Sequence, residues 1–253
     1  MGSVLITGAS SGIGKACAEI FANGGYNLIL NARRIDRLEE LSKNLIEKNK
    51  VKVYYKKTDM SKKDEIFEFV DSIPEDFFPI DVLVNNAGLS RGLESLDKGN
   101  IDDWNEMIDT NIKGVLYITK LIIPIMKKQG YGHIINLGSI AGHESYPGGN
   151  VYCATKAAIK SLTKSLRMDL LRTNIRVSSV DPGMVETEFS EVRFRDKEKA
   201  KKVYENIKPL YAQDIADVIY FIATRPQHVN IEDVIIMPTQ QASVLINDRD
   251  YKK

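Results

Sequence analysis

The chain has 253 residues, 43% of them hydrophobic and 27% charged, with a formal net charge of +1. That length holds one large α/β domain or two small ones, with a composition ordinary for a soluble globular protein. The near-zero net charge excludes any general attraction to nucleic acid or anionic lipid. The opening residues carry no signal-peptide pattern, and Ile6 stands where a myristoylation motif starting at Met1-Gly2 needs Ser or Thr. Val115–Met126, the longest apolar stretch, is broken by Lys120 and Pro124 and is too short for a membrane span. A cytoplasmic protein is expected. Cys17 and Cys153 lack Cys-x-x-Cys or disulfide spacing and read as reduced packing residues. His133, His143 and His228 are far apart in sequence and show no metal-ligand spacing, so no metal site is expected.

In chain order, Val4-Leu5-Ile6 is a short continuous apolar run, the pattern of a strand buried on both faces. It leads through Thr7-Gly8-Ala-Ser10-Ser11-Gly12-Ile13-Gly14 into a helical pattern carrying Ala16, Ile20 and Phe21. Strand, glycine-rich turn and helix start together form a phosphate cradle. Glycines let the backbone approach a pyrophosphate, and the free N–H groups of the helix end bind the anion. The second strand, Asn27–Asn31, ends at Ala32-Arg33-Arg34. An NAD-specific site places a carboxylate there for the ribose hydroxyls; here there is Ala32, and two guanidinium groups that pair with a 2′-phosphate follow. NADP(H) is therefore the expected cofactor, with Arg33 as main contact and Arg34 beside it, ahead of a helix at Asp36–Lys48.

The αβ rhythm continues with a strand at Val51–Lys57 running into Thr58-Asp59-Met60, a helix at Lys62–Ser72, and a strand at Asp81–Asn85 ending in Asn86-Ala87-Gly88. Two helical segments, Ile101–Asn111 and Ile112–Gln129, precede a strand at His133–Leu137. A helix carrying Tyr152 extends to about Thr173, followed by a strand at Ile175–Val180 leading into Asp181-Pro182-Gly183. The interleaved basic run Lys197–Lys202 reads as the solvated face of a helix. A helix at Gln213–Ala223 and a strand at Val234–Met237 close the pattern. Seven short apolar strands alternating with helices predict a doubly wound parallel α/β sheet with helices on both faces. No repeat or linker divides residues 1–253, so a single domain is expected.

Tyr152-x-x-x-Lys156 lies on the predicted helix Val151–Leu166, where residues four apart share a face. A nearby ammonium favours the phenolate and lowers a phenol's pKa by roughly 1–3 units. Such a phenol can exchange a proton near neutral pH, as interconversion of a carbonyl and an alcohol requires. The motif alone is weak: about one chance match is expected in a chain with this much tyrosine and lysine, and Tyr204–Lys208 is a second match. Context separates them. Ser139 lies thirteen residues before Tyr152, just past a strand, whereas Glu191 holds that offset for Tyr204, which reads as an ordinary amphipathic tyrosine.

In order and spacing, Thr7-Gly8-x-x-x-Gly12-x-Gly14, Asn85-Asn86-Ala87-Gly88, Asn111, Ser139, Tyr152-x-x-x-Lys156 and Pro182-Gly183 resemble the short-chain dehydrogenase/reductases over nearly the whole chain. The resemblance implies a Rossmann-like sheet of order 3-2-1-4-5-6-7 and a homotetramer or homodimer. It implies Tyr152 as general acid/base, Ser139 on the substrate oxygen, and Lys156 on the nicotinamide ribose. It also implies a water held by Asn111 and linking Lys156 to solvent, and Asp59 and Met60 at the adenine. Asn86, Ala87 and Gly88 would line the adenosine and ribose side, and Pro182, Gly183, Val185 and Thr187 the nicotinamide. Gly138 stands where many relatives carry a second serine. The stretches Thr187–Phe194, Lys208-Pro-Leu and Met237–Ser243 look like the branch acting on 3-hydroxy acids, including NADP-dependent serine and L-allo-threonine dehydrogenases. That likeness makes residues from about 187 to 208 a substrate-covering lid.

A small hydroxy acid such as serine, allo-threonine or 3-hydroxyisobutyrate needs a cation for its carboxylate, and a planar guanidinium suits it best. Arg193 is the candidate, with Arg91 as runner-up and pairing of Arg193 with Glu188 or Glu191 as the structural alternative. Two other functions remain open. A broad ketone, diketone or aldehyde reductase would use the same groups on a substrate without a carboxylate. A non-enzymatic NADPH-binding module would have no use for the acid/base set.

Overall fold

The structure, a computed structural model, describes residues 2–250. The strands are β1 (Ser3–Thr7), β2 (Asn27–Ala32), β3 (Val53–Lys57), β4 (Ile80–Asn85), β5 (Gly132–Leu137), β6 (Ile175–Pro182), β7 (Val185–Glu186), β8 (Leu210–Tyr211) and β9 (Asp233–Ile236). The helices are α1 (Gly12–Asn23), α2 (Ile35–Asn49), α3 (Lys63–Asp71), α4 (Ile101–Ile108), α5 (Val115–Gln129), α6 (Asn150–Asp169), α7 (Phe189–Phe194), α8 (Lys197–Val203) and α9 (Ala212–Ala223). Seven strands form one parallel sheet in the order β3-β2-β1-β4-β5-β6-β9. This is the expected order, with β9 as the seventh large strand. The short β7 and β8 pair separately with each other. Two-residue strands leave no periodicity to read, so nothing in the residue pattern announces them.

Continuous apolar strands arise because both sheet faces are covered. Successive side chains alternate between faces. Val4 and Ile6 pack with Phe21, Leu38 and Ile219 on the α1, α2 and α9 side. Leu5 packs with Phe69, Ile118 and Leu166 on the α3, α5 and α6 side. A third, smaller cluster of Leu89, Met107, Ala141, Tyr152 and Cys153 forms beyond the strand ends. Cys17 and Cys153 are buried free thiols.

Two boundaries differ notably from the sequence reading. The expected break near Asn111 is a π-helical turn, Asp109–Gly114, that joins α4 to α5 without interrupting the helix. The turn ends in a close approach: a Cβ on Gly114 would run into the Met60 carbonyl. The Tyr152 helix stops at Asp169 rather than Thr173, where the Thr173 hydroxyl bonds the Leu170 carbonyl at 2.7 Å. The basic run is indeed a solvated helix, α8, with only Ala200 turned inward among Lys197–Lys202. Among the described residues, no helix is long and apolar enough to cross a membrane.

Candidate active site

A cleft of about 340 Å³ opens past the carboxyl ends of β1, β2, β4, β5 and β6, where doubly wound sheets bind ligands. Its floor is the turn from β1 to α1. Gly8 and Gly12 adopt positive φ (+70° and +52°), the left-handed region open to glycine. Gly14 lies outside the cleft lining, and its lack of a side chain lets α1 pack onto the Gly8 carbonyl. Neither a side-chain cap at Ser11 nor an acidic residue in the first turn occupies the N-terminus of α1. Its orphan N–H groups therefore face the cleft beside Ser10, Ser11, Gly12 and Ile13. The turn is clamped to β4: Thr7 Oγ1 accepts from the Asn86 and Ala87 N–H groups at 3.0 Å each, and Asn86 Nδ2 donates to the Thr7 carbonyl at 2.8 Å.

Arg33 and Arg34 both line the cleft, but they differ in surroundings. Arg34 Nη2 donates to Ser11 Oγ at 2.6 Å and Nη1 to Glu188 at 2.7 Å, whereas Arg33 Nη1 reaches Glu106 at 3.1 Å. Arg34 is thus the guanidinium at the phosphate turn, a distinction two adjacent arginines do not reveal in sequence. Burial works against the Glu188 charge, yet Arg37 and Arg34 hold its carboxyl below the ordinary range. Asp59, Met60, Asn86, Ala87, Gly88, Pro182, Gly183, Val185 and Thr187 also line the cleft, with Ser139, Tyr152 and Lys156 at its far end. Pattern reading missed Thr58, Leu89, Thr110, Glu188, Phe189 and Val192. Lid residues carry no motif, and only their folding back over the strand ends brings them there.

Tyr152 is 8% exposed and stands among Phe189, whose ring centroid is 5.5 Å away, and Arg193, whose guanidinium carbon is 5.2 Å from the phenol ring. Burial pushes its phenol well above the ordinary range, while the Arg193 guanidinium and the Ser139 hydroxyl pull the other way. Lys156 Nζ lies 6.0 Å from the Tyr152 ring centroid and donates to the Leu137 carbonyl at 2.8 Å, so Arg193 is a second cation beside the same ring. Lys156 itself is 7% exposed, and burial lowers its pKa to about 8, with Asp181 opposing the shift. Ser139 begins a 3-10 turn, its Oγ accepting from the Ala141 N–H at 3.1 Å.

Asn111 does not line the cleft. Its amide is committed: Oδ1 accepts from the Leu89 N–H at 2.9 Å, and Nδ2 donates to the Leu89 carbonyl at 2.8 Å and to Thr155 Oγ1 at 3.1 Å. A Cβ on Gly88 would lie 3.3 Å from Asn111 Oδ1 and 3.7 Å from Lys156 Nζ, so both side chains flank Gly88 from behind.

The two candidate arginines separate cleanly. Arg91 is neutralised by Glu106, through Nε at 2.7 Å and Nη2 at 3.0 Å, and also donates to the Val192 carbonyl. Arg193 has no carboxylate partner among the described residues. Glu188 goes instead to Arg34 and Arg37. Arg193 donates to Ser90 Oγ at 3.0 Å and Tyr146 Oη at 2.8 Å and lies 5.1 to 5.8 Å from the rings of Phe189, Tyr152 and Tyr146. Tyr204 is more than an amphipathic surface residue: its hydroxyl donates to the Val185 carbonyl and meets Ser190 Oγ, each at 2.8 Å, which pins the 187–208 segment.

The short chain dehydrogenase family profile matches residues 3–198. The chain belongs to the short-chain dehydrogenase family. This short-chain dehydrogenase is 48% identical to an NADP-dependent 3-hydroxy acid dehydrogenase of Schizosaccharomyces pombe, over 94% of its length and 93% of the relative's. It is 43% identical to sulfoacetaldehyde reductase 2 of Chromohalobacter salexigens, covering 98% of each chain. Among solved structures, the closed form of serine dehydrogenase complexed with NADP⁺ superposes with a TM-score of 0.92 at 41% identity, covering 99% of both chains.

Proposed function

We propose that this short-chain dehydrogenase transfers a hydride between NADP(H) and the carbinol or carbonyl carbon of a small 3-hydroxy acid. The observation that carries the substrate class is Arg193, a guanidinium with no carboxylate partner among the described residues, held over the Tyr152 ring. A carboxylate seated on it places the hydroxyl-bearing carbon of a short acid beside Ser139 and Tyr152. The cleft fits the dinucleotide on its own geometry: a glycine cradle at an uncapped helix N-terminus, with Arg33 and Arg34 where a ribose phosphate would lie. NADP(H), when bound, supplies or accepts the hydride.

The protein's part is proton movement and positioning. Tyr152 takes the hydroxyl proton during oxidation and returns one during reduction. Ser139 Oγ donates to the developing oxyanion. Lys156 holds the nicotinamide ribose, and its ammonium favours charge on the phenol oxygen. Asn111 acts by fixing the segment after Gly88 and the Lys156 helix through Leu89 and Thr155. Its π-turn is the place for a water leading from Lys156 to solvent. The 187–208 segment serves as a lid that excludes water. Glu188 on Arg34 and Arg37, and the Arg193 carbonyl accepting from the Gly92 N–H at 3.1 Å, fasten it shut. A cytoplasmic homotetramer or homodimer is the expected working form.

Purified protein with NADP⁺ against serine, allo-threonine and 3-hydroxyisobutyrate, and with NADPH against sulfoacetaldehyde and neutral ketones, tests the reading by absorbance of the reduced cofactor. Preference for the anionic substrates supports it. Equal or better turnover of neutral ketones assigns a general carbonyl reductase instead. Cofactor choice has its own test. Arg34→Ala is expected to reduce the preference for NADPH over NADH by roughly ten- to a hundredfold, the worth of a charged hydrogen bond to phosphate. Arg33→Ala should have a smaller effect, because Arg33 is already engaged by Glu106. An unchanged ratio in the two variants removes both arginines from phosphate recognition.

A further inference from the structure

Behind the floor of the cleft lies a charged cluster that the proposed chemistry does not use. Asp181, 1% exposed, is the penultimate residue of β6, followed by Pro182-Gly183. One of its oxygens accepts from Ser179 Oγ, and the other pairs with His143 Nε2 in the loop that follows Ser139. Lys160 Nζ lies 2.6 Å from His143 Nδ1. An ammonium only donates, so Nδ1 accepts and the ring proton sits on Nε2, aimed at Asp181. Asp233, from the edge strand β9, completes the group; burial and the Asp181 carboxylate raise its pKa, with His143 and Lys160 opposing. The donor atoms of His143, Asp181 and Asp233 lie within 4.8 Å of one another. That composition suits a metal, but both His143 nitrogens and both Asp181 oxygens already have protein partners.

The cluster touches the catalytic helix through two successive residues of the strand end. Lys156 donates to the Leu137 carbonyl at 2.8 Å, and the next residue is Gly138. A Cβ on Gly138 would run into Asp181 Oδ1. The absent side chain is what lets the carboxylate stand directly behind the Lys156 acceptor. This gives a physical reason for glycine where many relatives carry serine. Lys156 is buried, and a buried ammonium without a compensating anion gives up its proton. Asp181 is the carboxylate whose charge acts on it.

We propose that Asp181, fixed by His143, Lys160 and Ser179 behind the cleft floor, is a positioning residue: the counter-charge that keeps Lys156 an ammonium. The role rests on Lys156 acting as proposed above. Asp181→Asn tests it, since the amide keeps the shape and can still accept from His143 while the charge is lost. In cofactor-free protein labelled with [ε-¹³C]lysine, with the Lys156 signal assigned by its loss in Lys156→Arg, the Lys156 midpoint should fall by about one pH unit, the low end of a nearby charge's effect. The alkaline limb of turnover should move down with it while NADPH affinity is kept. Asp233→Asn, which removes a carboxylate of the same cluster on the edge strand β9, should leave that midpoint in place. If Asp181→Asn does not fold, the smaller Asp181→Ser gives the same reading. An unmoved Lys156 midpoint in a folded Asp181 variant overturns the proposal and leaves the dehydrogenase reading intact. Wild-type protein inactive on every substrate of the panel overturns that reading instead.

Discussion

Tyr152→Phe is expected to lower turnover by at least roughly 10²–10⁴-fold, the usual contribution of general acid/base catalysis, with NADPH binding retained. The substitution removes one oxygen from a ring already packed against Phe189 and Arg193, so the packing of that wall survives. Burial holds the phenol protonated at neutral pH, which suits proton donation during reduction. In the oxidative direction the same burial must be overcome, and Arg193 and Ser139 already oppose it. The oxidative rate should therefore rise with pH until Lys156, whose pKa lies at about 8, loses its charge. Stopped-flow turnover combined with fluorescence titration of NADPH separates chemistry from binding. Turnover within a few-fold of wild type would remove Tyr152 from the role.

Arg193→Ala should raise KM for 3-hydroxy acids by roughly ten- to a hundredfold, since hydrogen bonds to charged groups contribute about 1.5–3 kcal/mol. Turnover of neutral ketones should change far less. Arg193→Lys should recover little, because an ammonium cannot bind a carboxylate through two parallel N–H groups. The same guanidinium also bonds Ser90 and Tyr146, so the variant loosens α7 as well. A loosened lid would raise KM for charged and neutral substrates alike. Only a loss confined to anions assigns Arg193 to the carboxylate; an equal loss makes it a lid fastener.

Much of the site was legible because its signals are local. Gly8, Gly12 and Gly14 are dictated by a backbone that must turn sharply and let α1 approach. Ser139, Tyr152 and Lys156 sit at fixed offsets from a strand end and along one helix. The alternation of apolar runs and helices showed a parallel doubly wound sheet, and the strand order was what the family resemblance implied. The lid was less legible, because α7, α8 and the β7–β8 ladder are too short to leave a period in sequence.

Sequence by itself determined the strands and helices, the glycine turn after β1 and the places of Ser139, Tyr152 and Lys156 on their elements, since each depends on neighbours along the chain. Tertiary structure alone decided which charges act on which. Lys156 lies four residues from Tyr152 and its ammonium bonds the Leu137 carbonyl, while Arg193, far along the chain, comes to stand over the same phenol ring. Arg193 was the candidate and Arg91 the runner-up, and what separates them in space is Glu106, which folds onto Arg91 while Arg193 has no carboxylate partner among the described residues. Electrostatic energy depends on distance and burial in space, and neither is written in residue order.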